Sequence, residues 1–232
     1  TKMKYCDTDR LSIRRIDKAS AKKMVVKYHY SHLWTKCSVA LGLFYVTGKQ
    51  HAFFDEAEEK MIGVIVYGDP VGRNSGSSIA EGLEHTQVYE LARLYIHDGY
   101  GNNIESWFIS QSFVWLKKNF SHILALISYA SPMEGHVGTI YQATNWIYQG
   151  CGDFQMAPTY SLRVKPEGEW IHSRTVFSKF GSHNIKKLKK AVGDTFWRMR
   201  EPEKHRYVYF IGSRKENKLF INTLKHPKLS YP

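Results

Sequence analysis

The stretch from Ser128 to Gly150 (SYASPMEGHVGTIYQATNWIYQG) constrains the fold of this chain more than any other segment. It begins at the end of an apolar run that closes at Ala130, which predicts the carboxyl end of a strand. From Thr139 the apolar spacing predicts an amphipathic helix that stops at Gly150. Open α/β sheets bind ligands where a strand runs into such a turn and helix. The polar residues that the turn contributes are Ser131, Glu134 and His136.

Length and composition indicate a globular protein. With 232 residues and 43% hydrophobic content, the chain can bury the core of one large domain, or of a domain with an extension. There is no run of about 18 apolar residues, so no transmembrane helix is expected. Residues 1–15 are polar, and we expect no secretory signal. The three cysteines lack a C-x-x-C pair, which favours a reducing cytoplasm over a disulfide framework or a thiolate zinc site.

The positive charge is concentrated in the final third of the chain. Residues 160–232 carry 17 Lys/Arg against 6 Asp/Glu, whereas residues 1–159 carry 16 against 15. This balance predicts a catalytic core over residues 1–160 and a basic extension over residues 161–232 that packs on the core and binds a polyanion such as nucleic acid. A solvated surface that aids solubility is the alternative. The cations expected to contact DNA are Arg174, Lys179, Lys186, Lys187, Lys189, Lys190, Lys204 and Arg206.

The order of elements predicts a mixed α/β (α+β) fold, although many such folds share it. The glycine- and serine-rich residues 69–86 are predicted to form a mobile loop. The predicted strands are 11–16, 39–46, 61–67, 88–96, 123–129, 159–164 and 206–212. The predicted helices are 18–30, 103–118, 139–148 and 184–191.

The segment 90–106 predicts an anion site. A strand runs into a loop with Gly99 and Gly101, and Asn102 or Asn103 can cap the next helix, whose first N–H groups and dipole favour phosphate. Ser106 can add a hydroxyl. The alternative is an ordinary strand–turn–helix whose glycines only shape the turn.

Arg93 lies within the apolar strand that precedes this loop, where an unpaired charge would be costly. It can neutralise a phosphate or pair with Glu90 or Glu134. A structural salt bridge at the edge of the sheet explains the residue equally well.

Three aromatic or histidine side chains are further candidates. Tyr141 lies near the predicted helix start and can act as a general acid, although aromatic stripes usually belong to a core. His29 and His32 have the i, i+3 spacing that lets both face a metal, but helix-end packing explains them as well. Tyr30 can stack on a base.

The strand–loop–helix order resembles that of GNAT acyltransferases, and several motifs resemble Mom-type DNA modification proteins of phages such as Mu. The motifs are YHYSH, ELARLYI with NNIESWFIS, the 128–150 stretch, SRTVFSKFGSHNIKKL and KHRYVYFIG. The resemblance implies a GNAT-like mixed, mostly antiparallel sheet flanked by helices. It further implies conversion of adenine in double-stranded DNA to N6-carbamoylmethyl adenine in the cytoplasm of an infected bacterium, which protects phage DNA from host restriction. An acetyl-coenzyme A-type thioester and iron are the implied cofactors.

The resemblance also implies roles for single residues. At the position after Ser128-Tyr-Ala, where the family has aspartate, this chain has Ser131. The implied catalytic residues are Tyr141, His29 and Tyr30, with His29 and Tyr30 also as metal ligands. The polar turn adds Ser131, at the departing position, and Glu134, as a relocated base. The implied cofactor-binding residues are Arg93, Leu94, Tyr95, Ile96, Gly101, Asn102, Asn103 and Ser106.

Two other functions stay open at this point. One is a conventional N-acetyltransferase that acts on a protein or a small amine. The other is a non-catalytic DNA-binding anti-restriction protein, which Ser131 in place of aspartate favours. The sequence predicts no membrane partner and leaves open whether the chain forms a homodimer.

Overall fold

The computed structural model describes residues 5–47, 58–72, 74–132, 135–152 and 159–232, and the chain forms two compact units. The first unit contains Thr1–Ala130, Gly138–Gly150 and Arg206–Pro232. The second contains Ser131–Val137 and Cys151–His205. This division differs from the predicted boundary at residue 160, because the final residues return to the first unit.

Nine strands and six α-helices make up the described part of the chain, with short 3-10 turns at Thr8–Arg10 and His85–Gln87. The strands are β1 (Leu11–Ile16), β2 (Val39–Thr47), β3 (Glu58–Gly68), β4 (Val88–Ile96), β5 (Ala125–Ala130), β6 (Ile147–Gly152), β7 (Tyr160–Arg163), β8 (Trp197–Arg200) and β9 (Lys204–Phe210). The helices are α1 (Lys18–Tyr28), α2 (Ile104–Asn119), α3 (Thr139–Ala143), α4 (Ser173–Phe180), α5 (Ile185–Val192) and α6 (Arg214–Asn222). Within these described ranges, no helix combines the length and apolar character needed to cross a bilayer.

Seven strands form one sheet in the order β1-β2-β3-β4-β5-β9-β6. The pairs β1/β2, β2/β3 and β3/β4 are antiparallel, whereas β4 pairs with β5 in parallel. The mixed, mostly antiparallel sheet that the sequence predicts is therefore confirmed. β7 and β8 form a separate antiparallel pair.

The helices of the first unit bury one face against this sheet. α1 begins at Asp17, whose carboxylate accepts the N–H of Ser20 at 2.8 Å, as an N-cap does. α2 repeats buried residues at helical spacing, including Ile104, Phe108 and Leu116, and these join the main core with residues of β2 and β3. α2 is thereby fixed on the sheet beside the carboxyl end of β4.

The helix predicted for residues 139–148 is wrong. α3 ends at Ala143, because Asn145 adopts a left-handed backbone (φ 60°) and the N–H of Trp146 turns back to the carbonyl of Tyr141 at 3.0 Å. β6 follows, and Trp146 and Tyr148 are buried. A short apolar segment fits the periodicity of a strand as well as that of a helix, and aromatic residues are common in buried strands.

The prediction of a mobile loop over residues 69–86 is also wrong for the part that the structure describes. Ile79 and Ala80 are fully buried in a second apolar cluster. The N–H of Lys225 donates to the carbonyl of Ile79 at 3.0 Å, which attaches the loop to the chain beyond α6.

Candidate active site

The parallel pairing of β4 and β5 stops early. It covers Val88 to Glu90 on β4 and Ala125 to Ile127 on β5. β4 continues to Ile96 with β3 as its partner on the other side, and β5 continues to Ala130. The two strands therefore part beyond Glu90, and the backbone edge of β4 that faces β5 is available to another partner.

Ser128 connects the two strands where they begin to part. Its Oγ lies 2.8 Å from the carbonyl of Leu91 on β4 and 2.8 Å from the phenol oxygen of Tyr141 on α3. The hydroxyl has a single proton, so Ser128 donates to one of these oxygens at a time. Ser128 was not among the predicted functional residues, although it begins the 128–150 stretch.

Tyr141 is buried at this point, as its predicted catalytic role requires. Burial raises the pKa of its phenol to about 12, the hydrogen bond with Ser128 opposes the shift, and the nearby Tyr30 and Glu90 add to it. The phenol is therefore protonated at neutral pH. It can donate a proton or a hydrogen bond, but it cannot act as a base.

Glu90 and Tyr207 complete the surroundings of Tyr141. Glu90 occupies the last paired position of β4, and one of its carboxylate oxygens accepts the N–H of Val71 at 3.2 Å. The ring of Tyr207 on β9 lies 5.1 Å from that of Tyr141, and Gln142 donates to its hydroxyl at 3.3 Å. No local pattern predicts that β9 lies beside α3, because the two are distant along the chain.

Arg93 makes backbone contacts. Its Nε donates to the carbonyl of Leu33 at 3.1 Å and its Nη1 to the carbonyl of Ala92 at 2.6 Å. The pairing between β3 and β4 shifts register here: Val66 lies opposite Arg93, and the next residue of β3, Tyr67, lies opposite Leu91. Arg93 thus attaches the segment after α1 to an irregular point of β4.

The side chains of the remaining predicted residues of β4 make packing contacts. Leu94 and Ile96 pack against the main core. Tyr95 stacks on Tyr28 with ring centroids 5.6 Å apart, and its hydroxyl lies 3.0 Å from Nδ1 of His97. Their backbone belongs to the strand edge that β5 leaves open.

The prediction that His29 and His32 share a helix face is wrong. α1 ends at Tyr28, His29 is extended, and His32 has a positive φ of 48°. His29 is buried, and its Nδ1 accepts the N–H of Ser31 at 3.1 Å, whereas Nδ1 of His32 donates to the carbonyl of Val26 at 3.0 Å. Tyr30 lies beside His29 with a ring separation of 4.2 Å and is exposed.

These residues do not assemble the predicted metal site. Among the residues that the structure describes, no group of three or more His, Cys, Asp or Glu is placed to hold a metal ion. His29 and Tyr30 supply two donors at most, and one nitrogen of His29 is engaged by Ser31. The described residues do not fit iron, and none of the chemistry below is routed through it.

The start of α2 forms an open groove of about 400 Å³. Its walls include Asn103, Ser106, Trp107 and Ser110, with Ala143 from the end of α3. The Oγ of Ser106 donates to the carbonyl of Asn103 at 3.0 Å. The first N–H groups of a helix have no partner within it, so this groove can receive an anion.

Gly101 has a structural role that the sequence did not reveal. Its φ of 103° is unfavourable for other residues, and a Cβ at this position would lie 2.7 Å from the backbone nitrogen of Cys6. The N–H of Cys6 donates to the carbonyl of Asn102 at 3.1 Å. The glycine is therefore needed for contact with the N-terminal segment, whatever ligand the loop binds.

The turn after β5 belongs to the second unit. The N–H of His136 donates to the carbonyl of Ser131 at 3.2 Å, and the N–H of Gly135 to that of Pro132 at 3.0 Å, so the turn closes on itself. Glu134 lies outside the described residues.

The cations predicted to bind DNA divide into two groups. Lys179 on α4 and all four lysines of α5 (Lys186, Lys187, Lys189 and Lys190) are exposed, whereas Lys204 is half-buried. Arg206 is 1% exposed and donates to the hydroxyl of Ser78 at 2.9 Å. It therefore does not present its guanidinium to DNA in this structure, because β9 is an internal strand. The side chain of Arg174 lies outside the described part of the chain.

Comparison with known proteins gives a family match. The Mom protein family matches residues 10–232. The chain is 25% identical over 211 residues to the methylcarbamoylase Mom of Escherichia phage Mu, which covers 88% of this chain and 77% of that protein.

Solved structures give a more distant likeness. A spermidine/spermine N-acetyltransferase of Vibrio cholerae is 7% identical, with a TM-score of 0.47. The superposition covers 91% of this chain and 98% of the acetyltransferase chain. An acetyltransferase of Salmonella typhimurium, solved with acetyl-CoA, is 10% identical, with a TM-score of 0.43. The superposition covers 88% of this chain and 96% of that protein's chain.

Proposed function

This chain belongs to the Mom protein family, and we propose that it modifies adenine in double-stranded phage DNA to N6-carbamoylmethyl adenine, which protects the DNA from host restriction nucleases. The name of the phage Mu relative, a methylcarbamoylase, supports this product class. The structural observation that carries the proposal is the parting of β4 and β5, with the protonated phenol of Tyr141 buried where they separate. We expect the enzyme to act in the cytoplasm of the infected bacterium.

The donor in this proposal is acetyl-coenzyme A or a related thioester. The edge of β4 from Leu94 to Ile96, beyond the carbonyls that Ser128 and Arg93 engage, offers backbone N–H and C=O groups to the amide groups of a pantetheine arm. The groove at the start of α2 suits the pyrophosphate, because helix N-termini favour anions. Asn103 and Ser106 line that groove, and Ser106 is placed to turn its hydroxyl toward the phosphates.

Tyr141 and Ser128 supply a proton where charge develops on the donor. The phenol donates to the departing sulfur, and the proton of Ser128 turns from the carbonyl of Leu91 to the oxygen of Tyr141 to stabilise the phenolate. The Glu90 carboxylate is the candidate acceptor for the proton that the amine loses. The hydrogen bond between Ser128 and Tyr141 and the influence of Glu90 on the pKa of Tyr141 support these roles.

The acceptor must leave the duplex to reach this point. The N6 lone pair of adenine is delocalised into the ring, so the amine needs close positioning. Flipping extrudes the base into a pocket, and the exposed ring of Tyr30 near Tyr141 is suited to stack on it. The exposed lysines of α4 and α5 hold the phosphate backbone.

The carbamoylmethyl product requires more than acyl transfer. Attack of N6 on a thioester carbonyl would give N6-acetyladenine, whereas in the carbamoylmethyl group N6 is bonded to the carbon beside an amide carbonyl. The thioester carbonyl loses coenzyme A to an amide nitrogen that a second donor supplies. The carbon that bonds to N6 must carry a leaving group in the donor, because replacing a C–H bond of a plain acetyl group would need a two-electron oxidant; the related thioester is therefore the donor that balances this product. The mass of the modified nucleoside therefore distinguishes the two reactions.

The test is mass spectrometry of nucleosides from DNA of cells that express the chain, with the Tyr141→Phe variant as control. We expect N6-carbamoylmethyl deoxyadenosine with the wild-type chain and at least about a hundredfold less with the variant. Unmodified adenine in cells that accumulate folded protein would overturn the proposal. In that outcome, protection of the DNA from restriction would indicate the non-catalytic anti-restriction protein, and acetylated peptide or amine would indicate the conventional N-acetyltransferase.

A further inference from the structure

The second unit contains a pair of short helices between two paired strands. β7 and β8 pair antiparallel from Tyr160 opposite Arg200 to Arg163 opposite Trp197, and α4 and α5 lie between them along the chain. The helices have eight residues each and are joined by the four residues 181–184. Gly181, in this connection, has a φ of 67°, and Asn184 caps α5 by accepting the N–H of Lys186 at 2.9 Å.

One apolar cluster fixes both helices on the strand pair. Val176 of α4, Leu188 of α5 and Leu162 of β7 are almost completely buried together. Phe180 and Phe196 pack at the margin of this cluster. The orientation of α5 about its axis is therefore set, with the side of Leu188 turned inward.

A buried carboxylate connects α4 to the end of β8. Glu201 accepts the N–H of Ser173 at 2.6 Å, its Oγ at 2.8 Å, and the Oγ of Ser161 on β7 at 2.9 Å. Nδ1 of His172 lies 3.4 Å from the same carboxylate. Glu201 takes the place of an N-cap residue for α4 and holds the helix pair to both strands.

The outer face of α5 is entirely cationic. At about 100° per residue, its four lysines cover an arc of about 160° centred opposite Leu188. They are all exposed, and the Nζ of Lys189 lies 3.3 Å from a carboxylate oxygen of Asp194. Residues 173–192 contain six Lys/Arg and no Asp or Glu. The helix pair therefore carries positive charge with no acidic residue to offset it.

We propose that α4 and α5 form a helix–turn–helix module and that α5 lies in the major groove of double-stranded DNA. The inference rests on the proposed function only in taking DNA as the partner. Two short helices joined by a turn of three or four residues containing glycine are the arrangement that such modules use. A helix with side chains is about 10–12 Å across, which matches the groove width of about 12 Å.

The placement of the charges also fits this groove. Lys186 and Lys190 lie at the centre of the cationic face, where they reach base edges such as N7 and O6 of guanine. Lys187 and Lys189 lie on its flanks, where they reach phosphates on the two sides of the groove. A membrane surface is a poorer partner, since the apolar side of α5 is used in the cluster with Val176 and Leu162.

The experiment compares two double variants with the same change in charge. Lys186→Gln with Lys190→Gln removes the centre of the α5 face, and Lys215→Gln with Lys218→Gln removes two exposed lysines from α6 in the first unit. All proteins also carry Tyr141→Phe, so that binding is measured without chemistry. Affinity for a duplex of about two helical turns is read by fluorescence anisotropy over a range of salt concentrations.

We expect the α5 variant to bind on the order of tens of times more weakly at 0.1 M salt and its salt slope to fall by about 1.8, whereas the α6 control keeps the parent values. A second duplex carries glucosylated 5-hydroxymethylcytosine, which fills the major groove. The parent and the α6 control should bind it at least about tenfold more weakly, while netropsin in the minor groove leaves their binding unchanged.

Equal binding of the plain and glucosylated duplexes, or equal loss in the two double variants, would overturn the inference. Thermal unfolding checks that all variants are folded, which exposed Lys→Gln changes should preserve. The outcome is separate from that of the proposed function. A wild-type chain that modifies adenine but fails these binding tests would refute only the helix–turn–helix module.

Discussion

Removing the hydroxyl of Tyr141 should abolish most activity while leaving the fold almost intact. In Tyr141→Phe the ring keeps its packing against Trp146 and Tyr207, each at a centroid distance of 5.1 Å. Ser128 keeps the carbonyl of Leu91 as acceptor, so no buried donor is orphaned. The free energy of unfolding should therefore fall by only about 1 kcal/mol, which lowers Tm by about 2–4 °C.

The catalytic loss should be much larger. A positioned general acid contributes about 10²–10⁴-fold, or about 3–5 kcal/mol of transition-state stabilisation. The assay is the yield of modified nucleoside per protein, read by mass spectrometry, beside thermal unfolding of the same sample. Because the pKa of Tyr141 is about 12, its protonation should not limit the rate at any pH up to about 10.

The chain contains a matched control for this experiment. Tyr67 is fully buried, and its hydroxyl lies 2.6 Å from the Oγ of Ser112, which also donates to the carbonyl of Ile109 at 2.6 Å. Tyr67→Phe therefore removes the same kind of hydrogen bond from β3, which pairs with β4 on the side opposite β5. We expect a similar fall in Tm and nearly full activity. Wild-type activity in Tyr141→Phe, or equal losses in both variants, would refute the assignment.

Two further predictions concern stability. Burial by itself raises the pKa of Glu201, but the hydrogen bonds from Ser173, the positive charge of His172 and the bond from Ser161 together hold it below its ordinary value of 4.5. Its stabilising contribution should be present above about pH 4.5 and be lost as the pH falls through the lower folded-state pKa. Glu201→Ala should lower the free energy of unfolding by about 1–3 kcal/mol and remove this dependence on acid pH, as measured by urea unfolding at several pH values. An acid transition that is the same in the variant would contradict this role of Glu201. Gly101→Ala should lower the free energy of unfolding, measured by thermal unfolding, by about 1–3 kcal/mol. Gly99→Ala should lower it less, because Gly99 has a similar φ of 94° but open space where a Cβ would lie. Equal losses would count against the contact between Gly101 and Cys6.

Local patterns in the sequence were sufficient for the elements that alternate or repeat clearly. β1 and β4 have the predicted bounds, and α2 and α5 are within one residue of theirs. The interest in Tyr141 also came from sequence, and the structure places the residue in a buried, polar position. These features depend on periodicity and on residue type, which a chain carries before it folds.

Other features depend on contacts between distant segments. Nothing near Tyr207 or Arg206 along the chain shows that β9 lies between β5 and β6, yet this placement buries Arg206 and brings Tyr207 to Tyr141. The same limit applies to Gly101, because a side chain there would meet the backbone of Cys6, which is distant along the chain.

The amino-acid sequence by itself determined the family, the mixed sheet, the basic final third and the chemical types available for catalysis. Tertiary structure alone decided which of them meet: that β4 and β5 part after Glu90, that Ser128 joins Leu91 to Tyr141, and that the lysines of α5 face outward while Arg206 does not. The reason is that a pKa, an open strand edge or a charged face is set by burial and by non-local neighbours. Local sequence specifies the residues but not the surroundings in which they act.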